Sequence, residues 1–218
     1  MNTKLIRSAR AGFTLLEMMV VILIIGILSA VLVKNIPEMI DSAQMTASEQ
    51  NMSKIYESMI MYQQEHQGSW PRDDGQRFFL RLWKDRYMDH TEKNAKVFFS
   101  PRLPYGDLLE EGENVLDHLD DWDSIGPGTT SYAGFSTQGD RQARRVLMKS
   151  PGTTAIVSDP FIIHRKALVY LTADGATHRL LLAEYADEEG LDFDTLIQDD
   201  IYVGPGCEIE ILTTVSND

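Results

Sequence analysis

Apolar residues run almost unbroken from Phe13 to Val33, with only Thr14, Glu17, Gly26 and Ser29 interrupting the series. As a helix this run is about 31 Å long at roughly 1.5 Å per residue, which matches a bilayer core of about 30 Å. A cleaved secretory signal has a shorter apolar stretch of about 7–15 residues followed by a small-x-small site. The longer run here has no clear site of that kind at its far end, so it reads as an anchor. Beyond Val33 the pattern changes. Ile36, Ile40, Ala43, Ala47, Met52, Ile55, Tyr56, Met59, Ile60 and Tyr62 recur mostly at spacings of three and four. That spacing predicts one apolar stripe on an amphipathic helix, with Glu38, Asp41, Glu49, Lys54 and Glu57 on the opposite face. The stripe fades near Glu65, and Gly68 with Pro71 terminates it. The predicted helix covers residues 13–66, apolar all round over 13–33 and amphipathic over 34–66. Pro37 lacks a backbone donor and predicts a kink. The methionines along the helix read as adaptable packing.

The remainder, residues 67–218, reads as a globular head. "SWPRDDGQRFFLRLWKDRYM" predicts a turn and then a short helix, with Phe78, Phe79, Leu82, Trp83 and Tyr87 as its apolar stripe. Residues 100–145 are rich in Gly, Pro and Asp and read as irregular surface or binding loops. "TTAIVSD" predicts a strand. "ALVYLTADGATHRLLLAEY" predicts a hairpin from Ala167–Thr172 to Thr177–Ala183, closed by Asp174-Gly175 as a type I′ turn. "IYVGPGCEIEILTTV" predicts further strands around a Gly-Pro-Gly turn. The fold class is therefore α+β: a long N-terminal transmembrane helix packed on an antiparallel β-sheet head.

Charge sharpens this division. The chain of 218 residues has a formal net charge of −13. Residues 1–33 hold Lys4, Arg7 and Arg10 against Glu17, which leaves −15 for residues 34–218. A head this acidic repels phosphate backbones, so nucleic acid is not its partner. The three cations before the apolar run keep that end cytoplasmic and send the head outward. Cys207 is the only cysteine, so no intrachain disulfide can form. No HExxH, GxSxG, P-loop or Cys-x-x-Cys pattern is present, and the five histidines are scattered. The chain does not read as an enzyme.

Glu17 is the residue that a plain anchor does not explain. An acid near the centre of a spanning helix costs about 2.5–3.5 kcal/mol, and less near its end. The basic prefix, then "GFTLLE" over Gly12 to Glu17, then the apolar run resemble the class III signal of type IV prepilins and type II secretion pseudopilins. The resemblance implies a basic leader over 1–12, cleavage between Gly12 and Phe13 by a membrane prepilin peptidase, and N-methylation of Phe13. It implies an assembly half over 13–33, and loosening between Gly26 and Pro37 in the filament. It gives Glu17 a role in assembly, pairing with the cationic Phe13 amine of a neighbouring subunit. Such a pair selects register, although desolvation offsets much of its attraction. The implied place is the bacterial inner membrane, single-pass, with a periplasmic or extracellular head. The implied partners are copies of itself or other pilins and pseudopilins, the peptidase and an inner-membrane assembly platform.

A second resemblance lies in the head. His164, nine residues, then Asp174-Gly175 resemble the His-x9-Asp-Gly signature of prepilin-like proteins, although Ala176-Thr177-His178 follows where His-Val is frequent. Asp174 and Gly175 read as turn-shaping residues and His164 as a hydrogen-bonding residue of the head, with metal binding as the alternative. Asp117, His118, Asp120, Asp121 and Asp123 match no calcium-loop spacing and read as a solvated acidic loop. Major pseudopilins bind calcium in a C-terminal loop, so the resemblance offers calcium as a cofactor at Asp187, Asp192, Asp194, Asp199 and Asp200, against a solvated acidic surface. Two functional readings remain open. One is a structural filament subunit; the other is a membrane-tethered extracytoplasmic binding domain that uses the leader for export and anchoring alone.

Overall fold

The computed structural model describes residues 13–140, 142–161, 163–164, 167–192 and 203–218. The chain divides into two compact units, residues 1–40 and 41–218. Helix α1, Leu15–Glu65, contributes to both. Its assignment is unbroken through Pro37.

In the first unit no described side chain is buried. Phe13, Leu15, Leu16 and the aliphatic residues that follow are mostly more than half exposed. Burying such a side chain is worth roughly 1.5–3 kcal/mol, so a surface this long demands a covering of lipid or protein. By length and composition α1 can cross a membrane.

The second unit is an antiparallel sheet with α1 on one face. Its strands are β1 (Ala133–Phe135), β2 (Ala155–Ser158), β3 (Ala167–Thr172), β4 (Thr177–Leu181) and β5 (Val215–Ser216), in the order β4-β3-β2-β1-β5. Every pairing is antiparallel. Side chains alternate across a strand, and β3 shows the consequence. Val169 and Leu171 join Met52, Ile55 and Met59 of α1 in the main core. Leu168 points the other way, into a smaller core with Leu182 and Ala186 of α6, Leu182–Glu189. Helix α2, Gln76–Lys84, buries Phe78, Phe79, Leu80, Leu82 and Trp83 in the main core. Short helices α3 (Glu92–Ala95), α4 (Val115–Asp120) and α5 (Val146–Lys149) complete the head.

Several expectations are corrected. The buried face of α1 in the head runs through Asp41, Ser48, Met52, Ile55, Met59 and Tyr62, with Met45 half-buried between the first two. Asp41 is thus interior, whereas Ile40 and Ala43 are exposed. The stripe has turned because polar residues of the sheet side, described below, offer partners to Asp41 and Ser48. The irregular middle holds strand β1, an interior strand between β2 and β5 although only three residues long. Gly134 marks it: a Cβ there would lie 2.0 Å from the Gly75 carbonyl oxygen, so α2 begins against the bare backbone. The second hairpin strand stops at Leu181, and the predicted tail "LLAEY" turns into α6. In the last segment, among the described residues, Val215–Ser216 is the only strand; Glu210–Thr214 is a 3-10 turn, since Gly204 and Gly206 at positive φ break any extended run.

Candidate functional site

Gly12 lies outside the described residues, and the structure begins at Phe13, which is exposed. Thr14 and Glu17 form a reciprocal cap on α1. Glu17 Oε2 accepts from the Thr14 amide at 2.7 Å and from the Thr14 hydroxyl at 2.9 Å, while the Glu17 amide donates to Thr14 Oγ1 at 3.2 Å. This is the Ser/Thr-x-x-Glu capping box, which satisfies amide donors that the first helical turn cannot pair. The pattern "TLLE" was available in the sequence. It supplies Glu17 with a use inside one chain that the bilayer argument overlooks.

The His-x9-Asp-Gly residues bracket β3, and each end of the motif meets α1. His164 Nδ1 is 3.2 Å from Asp41 Oδ1, with both side chains buried. At the other end the hairpin turn is fixed by Asp174, whose Oδ1 accepts from the Thr172 hydroxyl at 2.6 Å and from the Ala176 amide at 3.1 Å. These hydrogen bonds, the Thr172 one first, hold the Asp174 carboxyl below the usual carboxylate range. Gly175 adopts φ +91° and a Cβ on it would fall 2.3 Å from Tyr56 of α1. The Tyr56 hydroxyl in turn donates to the Ala173 carbonyl at 3.3 Å. The turn is not type I′, since Asp174 is not at positive φ. The Gly175 amide reaches the Thr172 carbonyl and the Thr172 amide reaches the Ala176 carbonyl, both at 2.9 Å, giving a three-residue loop with Gly175 in the left-handed position. A third link comes from β4, where Arg179 grips Glu49 of α1 through two bonds of 2.6 and 2.7 Å.

His164 also looks inward. Its Nε2 is 3.9 Å from Asp159 Oδ2 and has no hydrogen-bond partner. Asp159 is wholly buried at the end of β2. One of its oxygens accepts from the Val169 amide at 2.7 Å, and the other has no partner. Burial pushes this carboxyl up to about 8, and nearby Asp41 adds to the rise. Desolvation lowers the His164 imidazole, against the raising effect of Asp41. The Tyr132 hydroxyl is buried and unpartnered too, with its pKa raised by burial and by Asp159. Ser48 and Ser100 pair at 3.0 Å, and the Ser100 amide donates to Ser131. Sequence reasoning missed Asp41 and Asp159 as partners of His164. Asp41 did carry a signal: it stands at helical spacing with Met45, Ser48 and Met52, where a polar residue inside a stripe asks for a buried partner.

The two ring nitrogens of His164 address different carboxylates, so the three side chains do not converge on one point. Among the described residues no group of three or more His, Cys, Asp or Glu could hold a metal ion. Asp187 lies exposed on α6 and Asp192 follows it; Asp194, Asp199 and Asp200 lie outside the described residues. In the middle acidic loop Asp120 accepts from the Trp83 indole at 2.7 Å, and His118 bonds Glu113 and the Thr129 carbonyl. Those two side chains serve packing.

Fold and site together define a class: an α+β head on a helix whose exposed apolar half begins at a capped acid. Residues 7–33 match the family model of the prokaryotic N-terminal methylation motif, so this segment is a prepilin-like class III signal. The match covers the signal and apolar run and stops short of the head. No curated relative and no solved structure matches the chain.

Proposed function

We propose that this protein is a structural subunit of a type II secretion pseudopilus or a type IV pilus-like filament. Prepilin peptidase removes residues 1–12, Phe13 is methylated, and the mature chain waits in the bacterial inner membrane with its head on the outer side. The assembly platform then transfers it into a filament of like subunits, where neighbouring helices cover the apolar half of α1. The observation that carries this reading is the methylation-motif match on a helix whose apolar half, among the described residues, stays exposed. The His-x9-Asp-Gly residues act in it as a clasp holding β3 against α1.

The second reading, a tethered extracytoplasmic binding domain, has one observation in its favour: Glu17 already caps its own helix. Mass spectrometry of the native N-terminus and electron microscopy of the same cells separate the two. The filament reading expects a chain starting at methylated Phe13 and recovered in sheared filaments. A chain that keeps Gly12 removes the processing claim, and a processed chain confined to membranes supports the tether.

A further inference from the structure

The head carries two surfaces of opposite charge, one concave and one convex. The concave one is a groove of about 360 Å³ beside α1, lined among others by Lys54, Lys93, Lys96, Phe99, Pro101 and Tyr105. Three of the head's lysines thus face one hollow in a region of net charge −15. Lys96 pairs with Glu92 at 2.7 Å and lies 5.3 Å from the centre of the Tyr105 ring. Lys54 and Lys93 are exposed and make no ion pair among the described residues.

The convex surface is α6. Glu184, Asp187 and Glu188 share a face at spacings of three and four, Glu189 follows, and all four are exposed. The last turn contains no basic residue. Acids at a helix C-terminus oppose the helix dipole, and like charges four apart repel. These four side chains make no hydrogen bond or ion pair among the described residues. The helix keeps an arrangement unfavourable in isolation and favourable beside a cation.

The two surfaces lie on opposite sides of the sheet. The groove is built on α1, which packs on the face of Val169 and Leu171, whereas α6 packs on the face of Leu168. We infer that α6 of one copy docks into the Lys54–Lys93–Lys96 groove of the next. The contact is heterologous, so each copy uses both surfaces and the series continues without closing. The phenylalanine, prolines and tyrosine of the groove give the helix a floor, and the ammonium groups meet its acids. This inference rests on the filament reading and specifies how heads meet in it.

Charge reversal in full-length protein, produced with its processing machinery, tests the contact. Lys54→Glu with Lys93→Glu is expected to lower filament yield about tenfold, and Glu184→Lys with Glu188→Lys by a similar factor. All four changes together are expected to restore it. In a Cys207→Ser background, Lys93→Cys with Glu188→Cys is expected to form an oxidative ladder of dimers and higher multimers that neither single cysteine forms. The altered side chains are exposed and, among the described residues, unpaired, and an unchanged melting temperature checks that the heads still fold. Wild-type filament yield in both reversal pairs, with no ladder, overturns the contact and leaves the filament reading intact. Loss with the α6 pair alone also overturns it, because α6 then meets something other than the lysine groove. A wild-type chain that is processed and never assembles removes the filament reading itself.

Discussion

At the scale of single residues, Glu17 holds two possible duties that one substitution confuses and two separate. Its carboxylate caps α1 through Thr14, and its charge is the feature the filament reading uses. Glutamine retains the acceptor of a capping box and drops the charge; leucine drops both. If charge pairing with a neighbouring amine drives assembly, Glu17→Gln and Glu17→Leu lose filaments alike, counted per cell by electron microscopy. If the cap is what matters, Glu17→Gln assembles like the parent, and the pairing proposal falls. The cap itself was legible in "TLLE", whereas Asp159 was not. Nothing local distinguishes its "SDP" from a surface turn. Its burial depends on residues far along the chain, Val169 in β3 and His164.

At the scale of elements, periodicity was a good guide wherever packing follows propensity. The long helix, α2, β2 and β3 stand where their patterns put them. Two kinds of element were hidden. Strand β1 is three residues long, too short for alternation to register, and its place comes from pairing with β2 and β5. Helix α6 reads as strand because "LLLAEY" continues an apolar run, and a change of period inside such a run leaves no break. The hairpin turn shows where an element depends on one position. Gly175 combines positive φ with contact against Tyr56, so Gly175→Ala brings both backbone strain and a collision with a ring. We expect a destabilisation of about 2–4 kcal/mol, measured by thermal unfolding of the mature chain in detergent. Tyr56→Ala in addition relieves the collision, so the double variant loses less than the sum of the singles. Simple additivity contradicts the contact.

At the scale of the whole molecule, the buried acid writes itself into the pH dependence of stability. Asp159 is held protonated in the fold up to about 8, while in the unfolded chain it ionises near the ordinary carboxylate value. Its contribution is complete at low pH and is lost as pH rises through about 8. His164 acts in the opposite sense, because its lowered imidazole favours the fold above the unfolded value and loses that advantage as pH falls. Above about pH 6.5 the histidine contribution is constant and the Asp159 loss stands alone. The carboxyls of Asp174, Glu92 and Glu113, all held low, act only in the acid range. The melting temperature should therefore fall between about pH 6.5 and 8, with a slope of at most about 1.4 kcal/mol per pH unit. Asp159→Asn flattens that fall while still accepting from the Val169 amide. Parallel curves for the two proteins would contradict a neutral buried acid.

The order of the sheet has a consequence for life at high density. Subunits stored side by side, or stacked at close range, place open strand edges where they can zip together irreversibly. Among the described residues one border of the sheet, β5, is two residues long. The other, β4, ends after five residues as the chain coils away into α6, and its Arg179 is locked onto α1. Neither border offers a long flat template. Among the described residues, the sheet therefore gives a neighbouring copy little to extend.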